Sequence, residues 1–161
     1  MSAICFDTIG VIHTPFTDTV GMPIQSVAAA GVKGWVELDP AYAAGLADID
    51  GFSHLWLIYH LHRIAAGSLT VTPFLDRQAR GIFATRSPKR PNAIGLSLVR
   101  LIAVEGPVLR IEEVDILDGT PLLDIKPFVP SFDQRETDRI GWFEGNVDRV
   151  TTTRSDGRFN V

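Results

Sequence analysis

The stretch His54-Leu55-Trp56-Leu57-Ile58-Tyr59-His60-Leu61-His62 decides the fold. Successive strand residues point to opposite faces, so as a strand this segment sorts into two sets. Leu55, Leu57, Tyr59 and Leu61 form one face and read as core. His54, Trp56, Ile58, His60 and His62 form the other, a wall of imidazoles and an indole. Asp50-Gly51 marks a turn just before it. Upstream, Ala3 to Ile12 is β-rich, with Gly10 as a bulge or a point of close approach, and Trp35 to Leu38 is a short strand. Downstream, strands are expected over Leu69 to Phe74, Ile94 to Val104, Val108 to Leu117 and Leu122 to Lys126. Glu105-Gly106-Pro107 and Asp118-Gly119-Thr120-Pro121 break the series, the first with the size of a hairpin loop. Short strands, regular turn signals and little helix point to an all-β barrel or sandwich.

The helical signals are brief. Pro40 to Leu46 reads as a short helix with Asp39 as its N-cap and Pro40 in its first turn. Asp133-Gln134-Arg135-Glu136 suggests a capped helical turn, after which Ile140, Trp142 and Phe143 pack back on the sheet. Thr17 to Gly34 is a loop, weakly helical at best over Ala28 to Ala30, and loops of that length are often functional. The 161 residues suffice for one domain with a real core. That domain spans residues 1–150, and Thr151 to Val161 reads as a polar tail.

The densest chemistry lies in Phe83-Ala84-Thr85-Arg86-Ser87-Pro88-Lys89-Arg90-Pro91-Asn92. Each proline fixes its own φ and pushes the preceding residue to extended geometry, so the loop is stiff and non-helical. Three cations held this close repel one another, and such a loop commonly has an anion or a polar cofactor to place. A solvated basic turn is the plainer alternative. The chain carries a net charge of −4, which argues against nonspecific coating of nucleic acid. Yet Arg77, Arg80, Arg86, Lys89, Arg90 and Arg100 fall in a run from Arg77 to Val104 that holds no acidic residue.

Other chemistries find less support. Cys5 stands alone, sits in an apolar run and reads as buried and inert, so no intramolecular disulfide forms. Met1 to Pro15 is not a signal peptide, and no apolar run is long enough to cross a membrane; the expected setting is the cytoplasm. His60 and His62 have a spacing that can chelate one ion, but His54 lies roughly 20 Å from them along a strand. No cysteine pair exists, so the histidines are expected to line a pocket or pack on Trp56, and no metal is expected. There is no glycine-flanked serine elbow, Walker loop or GxGxxG. In Asp118 to Pro127, Asp124 and Lys126 alternate with Leu123 and Ile125 and so share a strand face, either as an ion-pair set or as part of a site.

Three segments carry a resemblance: FATRSPKRPNAIGLSLVRL, GFSHLWLIYHLHR and LDGTPLLDIKPF. Together with Ile9 to Phe16 they closely resemble the TsaA-like family, also called YaeB or TrmO, over roughly residues 4–145. The resemblance implies a single-domain β-barrel with short helical turns rather than a Rossmann fold. It implies an S-adenosyl-L-methionine-dependent methyltransferase acting on the exocyclic nitrogen of threonylcarbamoyladenosine beside the tRNA anticodon. It also implies a homodimer with the cofactor near the subunit interface. By motif, the cofactor site is expected from Pro23, Ile24, Gln25, His62, Arg63, Arg86, Leu96 and the turn Leu117, Asp118, Gly119, Thr120. Arg86 or Arg63 suits the cofactor carboxylate, Asp118 its hydroxyls or amine, and Leu96 with Leu117 its adenine. Lys89 and Arg90 are expected on RNA phosphate or the threonyl carboxylate. Asp124 and Lys126 are the candidate catalytic pair for a nitrogen weakened by its ureido neighbour. Asn92-Ala93 stands where the family has a second proline, Phe128 where it has tyrosine, and the C-terminal extension of longer members is absent. The competing reading is a barrel that binds S-adenosyl-L-methionine or RNA without chemistry.

Overall fold

The computed structural model describes residues 3–159. In chain order its strands are β1 (Gly10–His13), β2 (Lys33–Leu38), β3 (His54–His60), β4 (Thr70–Val71), β5 (Arg80–Gly81), β6 (Ile94–Glu105), β7 (Val108–Glu112) and β8 (Thr120–Pro127). Six of them close an antiparallel barrel in the order β1-β2-β7-β6-β3-β8, while β4 and β5 pair separately. Turn spacing and alternation left an all-β barrel or sandwich open; the structure is the barrel, as the family resemblance implies.

The alternation in β3 does what its sequence suggests. Leu55 and Leu57 are fully buried, Tyr59 nearly so, and they meet Ile12, Val36, Val99, Leu109, Ile111 and Leu122 inside the barrel. Full burial of a Leu or Ile side chain contributes roughly 1.5–3 kcal/mol, and this lumen holds the largest set. The outer face of β3 packs aromatically: Trp56 and His54 both meet Phe128, with centroids 5.8 and 6.4 Å away. His62 is not on that face. β3 ends at His60, and the chain turns so that the His62 amide bonds the His60 carbonyl at 2.8 Å.

Local signals hold where they are local. Asp39 caps the 3-10 helix Pro40–Leu46 by accepting from the Ala41 amide at 2.8 Å. The β6–β7 hairpin turns at Gly106, whose φ of +61° favours glycine. Gly10 is a close approach: a Cβ there would sit 2.5 Å from the Glu37 carbonyl oxygen.

Several expectations need correction. The strand expected over Val108 to Leu117 ends at Glu112. The first strand begins at Gly10, not Ala3, because residues 3–8 have no strand partner; Cys5 is exposed there and is not buried. The strand expected over Leu69 to Phe74 shrinks to Thr70–Val71. The helical turn expected from Asp133 instead ends there, as α1 (Pro130–Asp133), whose start is capped by the Asp133 carboxylate accepting from the Val129 amide at 2.6 Å.

The segment after Thr151 runs back over the body. Gly21 and Ser155 amides donate to Ser155 and Met22 carbonyls at 2.8 and 2.9 Å, and Pro23 bridges to Arg154. Phe159 is buried with Val71 and Ile82 in a second small core.

Candidate active site

Antiparallel pairing puts the end of β3, the start of β6 and the start of β8 at one end of the barrel. A cavity of about 450 Å³ opens there. Its walls come from the Thr19–Gln25 loop, the turn after β3, the basic loop, the start of β6 and the Asp115–Leu117 link between β7 and β8. Trp142 and Phe143, stacked with centroids 4.0 Å apart, close another side with Phe159.

Most of the expected cofactor residues meet in this one cavity. Pro23, Ile24, Gln25, His62, Arg63, Arg86, Leu96, Leu117 and Thr120 all line it, and so does Arg90. Gln25 and Arg86, far apart in sequence, join where the Arg86 Nη1 donates to the Gln25 Oε1 at 2.8 Å. His62 Nδ1 lies 3.4 Å from the Thr120 hydroxyl. Burial, then the charges of Arg63 and His60, push the His62 pKa down.

Other expected residues stand elsewhere. Asp118 accepts from the Thr14 amide at 3.0 Å and lies 3.4 Å from His13 Nδ1, outside the lining, as a tether of the turn in which Gly119 has φ +74°. Asp124 and Lys126 do share a face, but they pair with each other at 2.7 Å beside Ile58 and Trp56, on the barrel exterior and outside the lining. Lys89 borders a separate hollow shared with Arg158. Arg90 turns inward: its Nη1 donates to the Thr85 carbonyl at 2.9 Å and approaches those of Ile82 and Ser87 at 3.4 Å.

The cavity also holds a carboxylate that the sequence reading passed over. Asp115 lines it, and its Oδ1 accepts from the Ser97 hydroxyl at 2.6 Å. The Tyr59 hydroxyl lies 2.9 Å from Ser97 Oγ. With Ser97's one proton directed at Asp115, Tyr59 is the donor to Ser97, and the chain of hydroxyls ends on the carboxylate. Burial raises the Asp115 pKa to about 6, against the lowering effects of the Ser97 bond and the Arg86 charge. Burial, and then the Asp115 charge, also raise that of Tyr59. A polar residue between Val114 and Ile116 was the only available signal. Among the described residues no group of three or more His, Cys, Asp or Glu side chains is placed to hold a metal.

Comparison with known proteins now bears on this geometry. The family model of the tRNA-methyltransferase O N-terminal domain matches residues 11–134. The chain belongs to that family. A probable S-adenosyl-L-methionine-binding protein of Pyrococcus abyssi is 54% identical over 156 residues, 97% of this chain and 85% of that protein. The tRNA (adenine(37)-N6)-methyltransferase of Escherichia coli is 38% identical over 140 residues, 81% of this chain and 60% of that enzyme. The crystal structure of TrmO from Pseudomonas aeruginosa superposes with a TM-score of 0.74 at 34% identity, covering 88% of this chain and 63% of that one. The chain therefore spans less than two thirds of the two methyltransferases it matches. Within the family frame, Trp142, Phe143 and Phe159 are cavity walls that lie past the matched segment.

Proposed function

We propose that this chain is an S-adenosyl-L-methionine-dependent methyltransferase that modifies the exocyclic nitrogen of threonylcarbamoyladenosine beside the tRNA anticodon, acting in the cytoplasm as a homodimer. The observation that carries the reading is the convergence of Pro23-Ile24-Gln25, His62-Arg63, Arg86, Leu96, Leu117 and Thr120 on one cavity in a chain of this family.

The donor set fits the cofactor. Arg86, held by Gln25, offers a fixed guanidinium to its carboxylate. Ile24, Leu96 and Leu117 would offer an apolar seat for adenine. When bound, S-adenosyl-L-methionine supplies a methyl group on a positively charged sulfur. The chain's own contribution is positioning and one proton transfer. In place of Asp124 and Lys126, which stand outside the lining, Asp115 is the carboxylate in the cavity that would accept the proton the target nitrogen gives up on methylation. The proton then leaves to solvent through the open mouth.

Incubation with hypomodified tRNA and S-adenosyl-L-methionine, followed by nucleoside mass spectrometry, tests the reading. A gain of one methyl on threonylcarbamoyladenosine is expected; an unchanged nucleoside with intact cofactor binding would leave only a binding barrel. Arg86→Ala is expected to weaken cofactor binding by roughly 1.5–3 kcal/mol in calorimetry, the loss of a charged hydrogen bond. An unchanged affinity would move the carboxylate to Arg63.

The homodimer rests on the outer face of β6 and its neighbour. Ile94, Leu96 and Val27 are 43%, 55% and 66% exposed, an apolar strip beside the cavity mouth. A second copy seated there would cover the strip and bring the cavity to the interface. Light scattering is expected to give twice the chain mass. Val27 is not in the cavity lining, so Val27→Glu is expected to shift the mass toward one chain without touching the cofactor contacts. A monomeric wild type removes the proposal.

A further inference from the structure

We propose that Phe83, with the Arg90 guanidinium beside its ring, is a stacking platform for an unpaired nucleobase next to the target in the RNA strand that enters the cavity. The inference rests on the reading of tRNA as substrate and adds how the strand is held.

Phe83 is 77% exposed although its neighbour Ile82 is 1% exposed. Both belong to the 3-10 turn Ile82–Ala84, which anchors Ile82 in the second core and leaves the aromatic ring outside. The turn is rigid. Thr85 donates to the Ile82 carbonyl through its amide at 3.1 Å and its hydroxyl at 2.9 Å. Arg90 bonds the Thr85 carbonyl, and the Trp142 indole donates to the Ala84 carbonyl at 2.7 Å. The ring is therefore presented from a fixed base, as a stacking surface must be.

Two guanidinium–aromatic pairs border this turn. Arg90 Cζ lies 5.9 Å from the Phe83 ring centroid, and Arg80 Cζ lies 5.9 Å from that of Trp142. Arg90 and Trp142 both line the cavity, and they contact Phe83 and its neighbour Ala84, which are not in the lining themselves. The charge around it selects the partner. No acidic residue occurs between Arg77 and Val104, and the preceding Asp76 is bound to Arg80 at 2.7 Å. Among the described residues Arg86, Lys89 and Arg90 form no ion pair. An exposed aromatic face in a segment free of carboxylates suits single-stranded RNA, whose bases stack while its phosphates meet cations such as Lys89. A duplex keeps its bases stacked inside and offers no face to Phe83.

The test compares wild type, Phe83→Ala and Phe83→Trp on an anticodon stem-loop oligonucleotide with a fluorescent adenine analogue beside the target position. Phe83→Ala is expected to weaken stem-loop binding by about ten-fold or more and to abolish quenching of the analogue, while Phe83→Trp keeps both. The salt dependence of binding stays unchanged in Phe83→Ala, whereas Lys89→Ala lowers its slope by about one phosphate's worth. Cofactor affinity and chain mass in solution stay unchanged in Phe83→Ala. Stem-loop affinity within about two-fold of wild type, or a loss of the dimer in Phe83→Ala, overturns the platform. A wild type that methylates tRNA while Phe83→Ala does so equally well sinks the platform alone. A wild type that neither binds nor methylates the stem-loop sinks the reading beneath it.

Discussion

Asp115→Asn is expected to slow methyl transfer by about 10²–10⁴-fold, the usual contribution of a positioned base, and at the same time to stabilise the fold. The two effects share one cause. Burial raises the carboxyl pKa to about 6 in the fold, from 3.8 for a solvated side chain. Between these values the native state binds a proton that the unfolded chain does not, so stability falls as pH rises through that window. Above about 6 the penalty is complete, of order 2–3 kcal/mol. Asparagine keeps the shape and leaves an acceptor for Ser97 without the charge. The melting temperature should therefore rise at pH near 7 and match wild type near 3.8. Wild-type kcat/KM should fall as pH drops through about 6, where the base becomes protonated, and the variant should lack that limb. Activity within about three-fold of wild type would remove Asp115 from the chemistry.

Gly95→Ala carries the second large effect. Gly95 pairs with Tyr59 across β6 and β3, and an added Cβ would overlap the Tyr59 ring itself. That ring is buried and its hydroxyl is bonded to Ser97, so it can yield only toward the cavity it lines, away from that bond. Overpacking of this kind costs about 1–3 kcal/mol, and moving the ring also breaks the link to Ser97. A lower denaturation midpoint with an altered Asp115 titration is expected. A variant of wild-type stability would show that the two strands separate freely there.

The strands and turns were legible because their signals are local, while closure into a barrel rather than a sandwich came from the family resemblance. Alternation in β3, the Asp39 cap two residues from its partner amide and the glycine at the β6–β7 turn each need only a few neighbours. The cavity was legible through motif, not through physics: nothing in Gln25 or Arg86 alone announces that they meet across 61 residues. Asp115 shows why the rest stayed hidden. It has meaning only because barrel closure brings Ser97 and, behind it, Tyr59 to its side. Asp118 shows the converse. Its place in a dense motif suggested a ligand, whereas its carboxylate is occupied by an amide 104 residues away. Asp124 and Lys126 do occupy one face, yet alternation cannot say whether that face meets the cavity or the outside.

The Ser155–Met22 pairing joins the two ends of the chain across the cavity wall. The barrel strands finish at Pro127, and the loop carrying Met22 and Pro23 gains its backbone partners only from Arg154 and Ser155, while Gln25 is also held by Arg86. During synthesis, folding therefore runs ahead of function. A nascent chain can hold its core together while the cavity still lacks the wall that Arg154 to Phe159 complete.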